Sequence, residues 1–547
     1  MTSVPSPRDV QATYAAVLVD QWVAMGLSDV VICPGSRSTP LAIAFHQRDE
    51  IRCHVRIDER SAGFFAIGLA LATRHTVAIV VTSGTAAAEL HAAVAEADLA
   101  YVPLLVITAD RPPELHGVGA PQTIEQTEIF ASMVRQFAEP GVARWEQRDH
   151  WAQIAQDLFY AAEDDLFPGP VHLNAAFDEP LVGDAQIFPP SEPAAVWTSL
   201  SANETCPVEL RGRRVLVVVG SPHQHDWEAR CREMSWALLT DATGEGSLPY
   251  ADVILRSDEW ASALAPDVVL RAGGVLASKT VAQRLREWKC PVVAVSTGTM
   301  VGDPDRRVDH EWNSDVSDLD ATLHAGNADY VSAWEVISER VGSVLAGYDE
   351  WTEIAVARRV VSVANEHEVT LVVGSSMPVR DVEWWSETRR TRIISNRGAN
   401  GIDGVLSTIL GAGVSSSVVG YVGDVTFLHD VGSLVDGLGP HGGSAVIVVS
   451  DNRGGGIFSF LPQADALDAH SFGELFTTTR DLNLAAIASS FGHRAATVRT
   501  HQELDDAIRN GLSHTGVSVV VAALPPVSEN VGRHEELIQR IHAEIAT

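Results

Sequence analysis

The sequence predicts an α/β protein with three domains, each an open parallel sheet covered by helices. The chain has 547 residues, of which 46% are hydrophobic, so it can bury several cores. Short, nearly continuous apolar runs alternate with helical patterns, as in parallel sheets buried on both faces. Each run ends in a loop rich in Gly, Ser or Arg. Three such stretches give predicted domains at residues 1–187, 207–325 and 350–547.

The first predicted domain repeats a pattern of strand, polar loop and helix. It starts with a helix over residues 8–26, where apolar side chains recur at helical spacing and Gly26 ends the helix. The carboxyl ends of parallel strands meet at one edge of a sheet, which is where such folds bind ligands. The predicted strands are Asp29 to Cys33, Cys53 to Ile57, Val77 to Val81 and Leu104 to Thr108.

The stretch from Phe188 to Cys206 is rich in Pro, Ser, Ala and Glu and is predicted to be a linker. The second domain has loops without a GxGxxG fingerprint and a following acid, which argues against dinucleotide binding. The second-domain strands are predicted at 215–219, 268–270 and 292–295. The third-domain strands are predicted at 371–373, 392–395, 418–422, 445–449 and 517–522.

Composition narrows the classes of partner. The formal net charge is -32, and without a basic stripe this disfavours binding to nucleic acid or to anionic membranes. No run of 18 apolar residues occurs and the first residues lack a signal-peptide pattern, so we expect a cytoplasmic protein without membrane insertion. The five cysteines are widely spaced, which argues against a disulfide framework or a zinc cage.

Two neighbouring strand ends carry candidate metal ligands. Asp424 follows the strand at 418–422, and Asn452 follows the strand at 445–449 with Gly454 close behind. The separation, 452 minus 424 or 28 residues, suits one strand-helix-strand crossover, so both side chains can lie on the same sheet edge. Carboxylate, amide and backbone oxygens are ligands that Mg²⁺ prefers, and a glycine loop admits a diphosphate. The alternative is two unrelated turns.

Arginines also follow several predicted strands. Arg37, Arg111, Arg380 and Arg397 lie in such loops, and in so acidic a chain they indicate a local positive pocket for a polycarboxylate. The alternative is ordinary surface salt bridging. Glu59 follows another strand in the segment DERSAG, where Asp58 or Ser61 could simply cap the next helix. Motifs of the common hydrolases, phosphate-loop kinases and zinc proteases are missing from the sequence.

Several segments, taken in order, resemble known thiamin diphosphate-dependent enzymes. GDVTFLHD and SDNRGGGIF resemble the thiamin diphosphate motif, which starts with Gly-Asp and ends at an asparagine. The motif departs at Val425, where a third glycine is common, and at Asp451, where the first of two asparagines is common. Together with CPGSRSTPLA, RIDERSAGFFAIGLA, TSGTAAAEL, ADRPPEL, QTIEQ and SNRGANGIDG, the chain is similar to the 2-succinyl-5-enolpyruvyl-6-hydroxy-3-cyclohexene-1-carboxylate synthases of menaquinone biosynthesis.

The resemblance implies a first domain that binds the pyrimidine of thiamin diphosphate, a middle domain, and a last domain that binds the diphosphate and Mg²⁺ or Mn²⁺. Glu59 takes the position of the catalytic glutamate, whose carboxyl hydrogen-bonds a pyrimidine nitrogen. The implied metal ligands are Asp424, Asn452 and the Gly454 carbonyl. The implied cofactor contacts are Glu59, Ser83, Gly84, Thr85, Gly423, Asp424, Val425, Thr426, Asn452, Gly454, Gly455 and Ile457.

The resemblance also implies the substrates and the reaction. The family decarboxylates 2-oxoglutarate and adds the remaining four-carbon unit to isochorismate, and the cofactor lies between subunits of a homodimer or homotetramer. Arg306 and Arg307 would extend the isochorismate pocket or form surface salt bridges. The alternatives are another thiamin-dependent 2-oxo-acid decarboxylase or acetolactate-synthase-like carboligase, a noncatalytic scaffold, and a flavin-dependent relative. The implied substrate contacts are Arg37, Arg111, Gln122, Ser376, Arg380, Arg397, Ile457 and Phe458.

Overall fold

The computed structural model describes residues 5–192, 204–222, 226–296, 301–387 and 389–546. Contacts divide the chain into two compact units, each made of three segments. The first unit is 1–198, 396–416 and 429–443, and the second is 199–395, 417–428 and 444–547. Within the described residues the strands form three parallel sheets with helices, so the predicted α/β fold is confirmed. Most of the predicted linker, residues 193–203, lies outside the described residues.

The first sheet belongs to the first unit. Its strands are β1 (Asp29–Ile32), β2 (Arg52–Val55), β3 (Val77–Val81), β4 (Leu104–Asp110), β5 (Phe137–Ala138) and β6 (Pro170–Ala176), in the order β2-β1-β3-β4-β6-β5. The helices between them are α1 (Pro7–Ala24), α2 (Thr39–His46), α3 (Glu59–Thr73), α4 (Thr85–Glu89), α5 (His91–Leu99) and α6 (Arg148–Ala162). Every residue of β1, β3, β4 and β6 is buried, as expected for a sheet covered on both faces.

The middle sheet belongs to the second unit. Its strands are β7 (Val215–Gly220), β8 (Ala237–Thr240), β9 (Val268–Gly273), β10 (Val292–Ser296) and β11 (His310–Asn313), in the order β11-β10-β9-β7-β8. The helices of this part are α7 (Trp227–Met234), α8 (Ala251–Leu255), α9 (Asp258–Ala263), α10 (Lys279–Glu287), α11 (Ala321–His324) and α12 (Ala328–Ala346).

The third sheet also belongs to the second unit. Its strands are β12 (Thr370–Val373), β13 (Ile393–Ile394), β14 (Val418–Gly423), β15 (Ser444–Asp451), β16 (Arg494–Val498) and β17 (Gly516–Ala523), in the order β13-β12-β14-β15-β17-β16. The helices are α13 (Glu353–His367), α14 (Met377–Trp385), α15 (Val405–Ala412), α16 (Asp424–His429), α17 (Gln463–Ala466), α18 (Ala469–Phe472), α19 (Leu484–Ser490), α20 (His501–Leu512) and α21 (Asn530–Ile545). Of these, α15 and the last residue of α16, His429, lie in the first unit.

Within the first unit, α3 and α15 cross at very short range, and glycines make this possible. A Cβ at Gly68 would stand 2.1 Å from the carbonyl oxygen of Thr408, and one at Gly411 would stand 2.1 Å from the carbonyl oxygen of Phe65. Real side chains do not approach a backbone oxygen so closely, so the crossing requires glycine at both positions. The crossing holds α3, whose first residue is Glu59, against a second helix.

Most of the predicted strands occur within a few residues of their predicted limits, but five strands were not predicted. These are β5, β6, β8, β11 and β16. β6 is the informative case, because its seven residues are all buried although His172 and Asn174 interrupt the apolar run. Those two polar side chains find partners on β4 and in the loop that follows it.

Candidate functional site

The carboxyl edge of the third sheet brings the predicted metal ligands together. β14 and β15 are adjacent and parallel, with Gly423 opposite Ser450 in the register. Asp424 therefore lies one residue past the end of the pairing, and Asn452 lies two residues past it on the neighbouring strand. The short crossover that the spacing predicted is the one observed.

Asp424 is buried, with its carboxylate tied to the backbone of both loops. Its Oδ1 accepts from the N–H of Val425 at 2.7 Å, and its Oδ2 accepts from the N–H of Gly454 at 2.7 Å. Burial raises the pKa of Asp424 to about 7, and the nearby carboxylate of Asp451 adds to the rise while the backbone N–H groups oppose it. A cation at this position would relieve the cost of burying the charge.

Asn452 offers an oxygen without a partner. Its side chain is 5% exposed, its Nδ2 donates to Oε1 of Glu353 at 2.8 Å, and its Oδ1 has no hydrogen-bond partner in the described structure. A buried amide oxygen without a donor is uncommon in folded proteins. The oxygen is therefore available to an added group such as a metal ion.

Gly454 has a conformation and a position that only glycine tolerates. Its φ is 151°, and a Cβ would lie 2.4 Å from the carbonyl oxygen of Thr477. Gly423 differs, since a Cβ there would meet nothing within 4 Å, which leaves open space at the end of β14. This edge combines a carboxylate, an amide oxygen without a donor and a glycine backbone beside open space. Such a set of oxygen ligands suits a hard divalent cation, and the glycine backbone leaves room for a diphosphate.

The other predicted contacts of this edge lie on the same two loops. Val425 and Thr426 are in the first turn of α16, and Thr426 is buried. Gly455 donates its N–H to the carbonyl of Thr477 at 2.9 Å. Phe458 packs its ring 5.4 Å from that of Phe476, and Ile457 packs against the apolar core that includes α21 and α14.

Glu59 is the first residue of α3, where it is half-buried. The helix cap is Asp58, whose carboxylate accepts from the N–H of Ser61 at 3.0 Å, so the capping role does not fall to Glu59. Asp430 is fully buried and accepts from both the N–H and the hydroxyl of Ser407, at 2.8 and 2.9 Å, and from Ser61 at 3.4 Å. The start of α3 is thus fixed on both sides of Glu59.

Ser83, Gly84, Arg111 and Gln122 meet at the carboxyl edge of the first sheet. The guanidinium of Arg111 donates to the hydroxyl of Ser83 and, at 2.9 Å, to the carbonyl of Gln122. The amide of Gln122 in turn donates to the carbonyl of Ser83 at 3.1 Å. Gly84 has φ 85°, with the side chain of Gln122 3.0 Å from where its Cβ would be, and Thr85 begins α4. Four predicted site residues therefore form one cluster.

A second arginine lies near this cluster. Arg37 is 8% exposed, donates to the carbonyl of Phe177 at 2.9 Å and lies 3.5 Å from the carboxylate of Glu179. Burial lowers the pKa of Arg111, and the charge of Arg37 lowers it further. The two guanidinium groups are close enough to affect each other, and the carboxylates of Asp110 and Glu179 offset part of their positive charge.

A buried polar network that sequence reasoning missed supports the Gly84 loop. Gln126, fully buried, accepts from the N–H of Gly84 at 2.8 Å and donates to Oδ1 of Asn174 at 2.9 Å. The same oxygen accepts from the hydroxyl of Thr108 at 2.9 Å, and that hydroxyl lies 2.7 Å from Nε2 of His172. Gln126 is the last residue of QTIEQ, one of the motifs that carry the family resemblance. Nothing in that motif assigns a role to Gln126 itself.

The remaining arginine loops are separately anchored. In the first unit, the buried carboxylate of Glu96 accepts from the N–H groups of Gly398 and Ala399, both at 2.7 Å, directly after Arg397. In the second unit, Arg380 donates to the carbonyl of Ser376 at 2.6 Å. Ser376 has φ 73°, a strained value for a residue with a side chain, at the start of α14.

The contacts of Arg307 fit the salt-bridge interpretation. Its guanidinium donates to the carbonyls of Trp288 and Cys290, each at 3.1 Å, and lies 3.3 Å from the carboxylate of Asp309. Arg306 is exposed, with φ 51°. These contacts hold Arg307 against the carbonyls that follow α10.

Comparison with known proteins defines the class of this chain. Residues 12–129 match the family model described as the N-terminal TPP binding domain of thiamine pyrophosphate enzymes, and residues 375–522 match that of the C-terminal TPP binding domain. The two matched regions contain Glu59 and the Asp424–Asn452 edge. The chain is therefore a thiamin diphosphate enzyme in its architecture.

Curated relatives then define the family. A 2-succinyl-5-enolpyruvyl-6-hydroxy-3-cyclohexene-1-carboxylate synthase of Geobacillus kaustophilus is 35% identical over 98% of this chain and 99% of its own length. Relatives with the same name from Saccharopolyspora erythraea and Thermobifida fusca are 34% and 37% identical, over 97% and 87% of this chain and 98% and 90% of their own lengths. The chain belongs to the family of these synthases, as the ordered motifs predicted. No helix in the described ranges is long and apolar enough to cross a membrane.

Proposed function

We propose that this chain catalyses the decarboxylation of 2-oxoglutarate and the conjugate addition of the remaining four-carbon unit to isochorismate, with thiamin diphosphate and Mg²⁺ or Mn²⁺, in menaquinone biosynthesis. The observation that carries the proposal is the sheet edge where buried Asp424, the unpartnered oxygen of Asn452 and the constrained backbone of Gly454 meet. Membership of the synthase family supports the choice of substrates.

The residues of this edge would hold the metal and the diphosphate. Asp424, Asn452 and the carbonyl of Gly454 would bind the cation, and Gly423, Val425, Thr426 and Gly455 would surround the diphosphate. When bound, thiamin diphosphate supplies the nucleophilic carbon and the electron sink that the decarboxylation of a 2-oxo acid requires.

Glu59 would act on the pyrimidine end of the cofactor. Its carboxyl would share a proton with a ring nitrogen of the pyrimidine, which is a general acid–base role. The cap at Asp58 and the contact of Ser61 with the buried Asp430 hold the first turn of α3, which carries this carboxyl. Ser83, Gly84 and Thr85 would line the cofactor from the neighbouring strand.

The arginines would bind the carboxylates of the substrates. 2-Oxoglutarate and isochorismate are both dianions, and guanidinium groups bind carboxylates with two parallel hydrogen bonds that fix their orientation. Arg37 and Arg111 are close enough to affect each other, which suits a substrate with two negative charges. Gln122, Ser376, Arg380, Arg397, Ile457 and Phe458 complete the proposed substrate contacts.

We also propose that the protein is cytoplasmic and works as a homodimer or homotetramer, which the family resemblance implies. The chain should use small-molecule substrates, without nucleic acid or membrane insertion.

The test compares two 2-oxo acids. Purified protein with thiamin diphosphate and Mg²⁺ should release carbon dioxide from 2-oxoglutarate and form an adduct when isochorismate is added, detected by mass spectrometry. Chelation of the metal or omission of the cofactor should abolish both, and Glu59→Gln provides a matched inactive control. Turnover of pyruvate without turnover of 2-oxoglutarate would replace this proposal by that of a pyruvate decarboxylase or acetolactate-synthase-like carboligase.

A further inference from the structure

The side chain of Glu353 has an unusual position for an acid at the start of a helix. It is the first residue of α13, where an acidic side chain favours the helix dipole without needing burial. Yet Glu353 is 3% exposed, and Oε1 accepts from Nδ2 of Asn452 at 2.8 Å. The two residues are 452 minus 353, or 99, positions apart. Helix capping explains neither the burial nor this contact.

The contact determines which end of the Asn452 amide faces the sheet edge. Oε1 of Glu353 accepts this hydrogen bond, so it faces the nitrogen of the Asn452 amide and not the oxygen. Oδ1 of Asn452 is consequently turned away from Glu353, and it is the atom without a partner. Rotating the amide by half a turn would set two acceptors against each other in a buried place, which is strongly unfavourable.

Glu353 is itself held in place by the strands of the third sheet. The indole N–H of Trp351 donates to the carbonyl of Ala523 at 2.8 Å, and Ala523 is paired with Asp451, next to Asn452. The hydroxyl of Tyr421, on β14, lies 3.5 Å from the carbonyl oxygen of Glu353. Thr352 caps α13 by accepting from the N–H of Ala355. The start of α13 is thus tied to the sheet edge that carries Asn452.

We propose that Glu353 is a positioning residue, which orients the amide of Asn452 so that its oxygen faces the metal of the cofactor. The inference rests on the proposed function, because it assigns Asn452 to the metal. Hydrogen-bond partners behind metal ligands fix ligand orientation, and their removal weakens metal binding by roughly 10–100-fold. Glu353 would therefore act on metal affinity without touching metal or substrate.

The experiment measures Mn²⁺ affinity in the presence of thiamin diphosphate, by electron paramagnetic resonance of the free ion. Glu353→Ala should weaken Mn²⁺ binding by roughly 10–100-fold. Glu353→Gln should weaken it less, because the new side chain keeps one acceptor but also offers a donor that allows the flipped amide. Hydrogen exchange of the metal-free variants establishes that the third sheet is folded.

A pair of substitutions separates positioning from simple loss of packing. With Asn452→Asp, the carboxylate of Glu353 would face a second carboxylate. Adding Glu353→Gln then supplies a donor to the carboxylate introduced at position 452 and leaves that carboxylate's other oxygen for the metal. Glu353→Gln should therefore weaken Mn²⁺ binding when position 452 is native and strengthen it in the Asn452→Asp background. The same effect in both backgrounds would overturn the proposal.

Two controls separate this inference from the proposed function. Asp252 is a buried carboxylate on α8 that accepts from Ser278 and Arg256, and Asp252→Asn should leave Mn²⁺ affinity unchanged. Asp424→Ala removes a proposed ligand and should abolish tight binding. If Asp424→Ala binds Mn²⁺ like the native protein, the metal site and the proposed function fail together. If Asp424→Ala loses binding and Glu353→Ala keeps native affinity, the role of Glu353 alone is wrong.

Discussion

Replacing His172 by glutamine should remove a specific acid sensitivity of the first unit. His172 is fully buried on β6, in contact with the rings of Phe130 and Phe137, whose centroids lie 4.8 and 5.1 Å from its own. The hydroxyl of Thr108 donates to Asn174, so it accepts from Nε2–H of His172, and Nδ1 has no hydrogen-bond partner among the residues that the structure describes. A second proton would place an unpartnered N–H and a charge in this apolar setting.

The size of the effect follows from the pKa. Burial lowers the pKa of His172 from 6.5 to about 3. Below pH 6.5 the unfolded chain binds a proton that the folded chain excludes, so this contribution to stability is present above that pH and is lost as the pH falls. At about 1.4 kcal/mol per pH unit, the folded state should lose about 2 kcal/mol at pH 5 relative to pH 7.5.

The assay must report on this part of the molecule, because a large chain with several sheets has no single unfolding free energy. Hydrogen exchange of the β6 amides, corrected for intrinsic rates, gives local opening free energies at pH 7.5 and 5. The native protein should lose about 2 kcal/mol between these pH values. His172→Gln keeps a donor to Thr108, has no titrating ring and should lose far less. His150→Gln, at an exposed position, should behave as the native protein does.

An equal pH dependence of β6 opening in the native protein and in His172→Gln would refute the reasoning. It would mean that the acid sensitivity of the strand comes from other groups. A loss of protection already at pH 7.5 in the variant would instead mean that the ring acts through packing and not through its charge.

Two further predictions concern the supports of the candidate site. Glu96→Ala should leave the two N–H groups after Arg397 without an acceptor, at a cost of about 1–3 kcal/mol. The displaced loop should raise KM for one of the two dicarboxylate substrates by about tenfold in steady-state kinetics. The control Glu89→Ala, at an exposed position, should leave both KM values unchanged. An unchanged KM for both substrates in Glu96→Ala would contradict the proposal that Glu96 holds the Arg397 loop in place. Gly68→Ala would bring a Cβ to 2.1 Å from the carbonyl of Thr408 and should lower the local opening free energy of α3, measured by hydrogen exchange, by about 1–3 kcal/mol. Unchanged protection of α3 would show that the helices can separate freely.

The sequence was most informative where local pattern and connection length determine structure. The apolar runs predicted β3 to the residue, and the 28-residue spacing of Asp424 and Asn452 predicted that β14 and β15 are neighbours, which the register confirms. These features depend on contacts along one strand or one crossover. The family resemblance, carried by ordered motifs, predicted the family that the relatives confirm.

Partners distant in sequence account for what was missed. β6 was overlooked because His172 and Asn174 break its apolar run, and their partners lie 64 and 66 residues away at Thr108. In the sequence, Glu353 resembles any acidic residue at the start of a helix, because its hydrogen-bond partner, Asn452, lies 99 residues later. Buried polar side chains are stable only when such partners are in place, so their role becomes visible only in the folded structure.

The two departures from the common thiamin diphosphate motif are compatible with the site for different physical reasons. Val425 lies in α16, and its N–H donates to the carboxylate of Asp424. Because this position is helical and does not need a left-handed backbone, a residue with a branched side chain can occupy it in place of glycine. Asp451 is the last residue of β15, where its carbonyl accepts from the N–H of Leu524. Its charge helps to raise the pKa of Asp424, so it adds negative potential beside the proposed ligand. A bound divalent cation would be attracted by that potential, which gives the acidic residue at position 451 a favourable role that an asparagine there would lack.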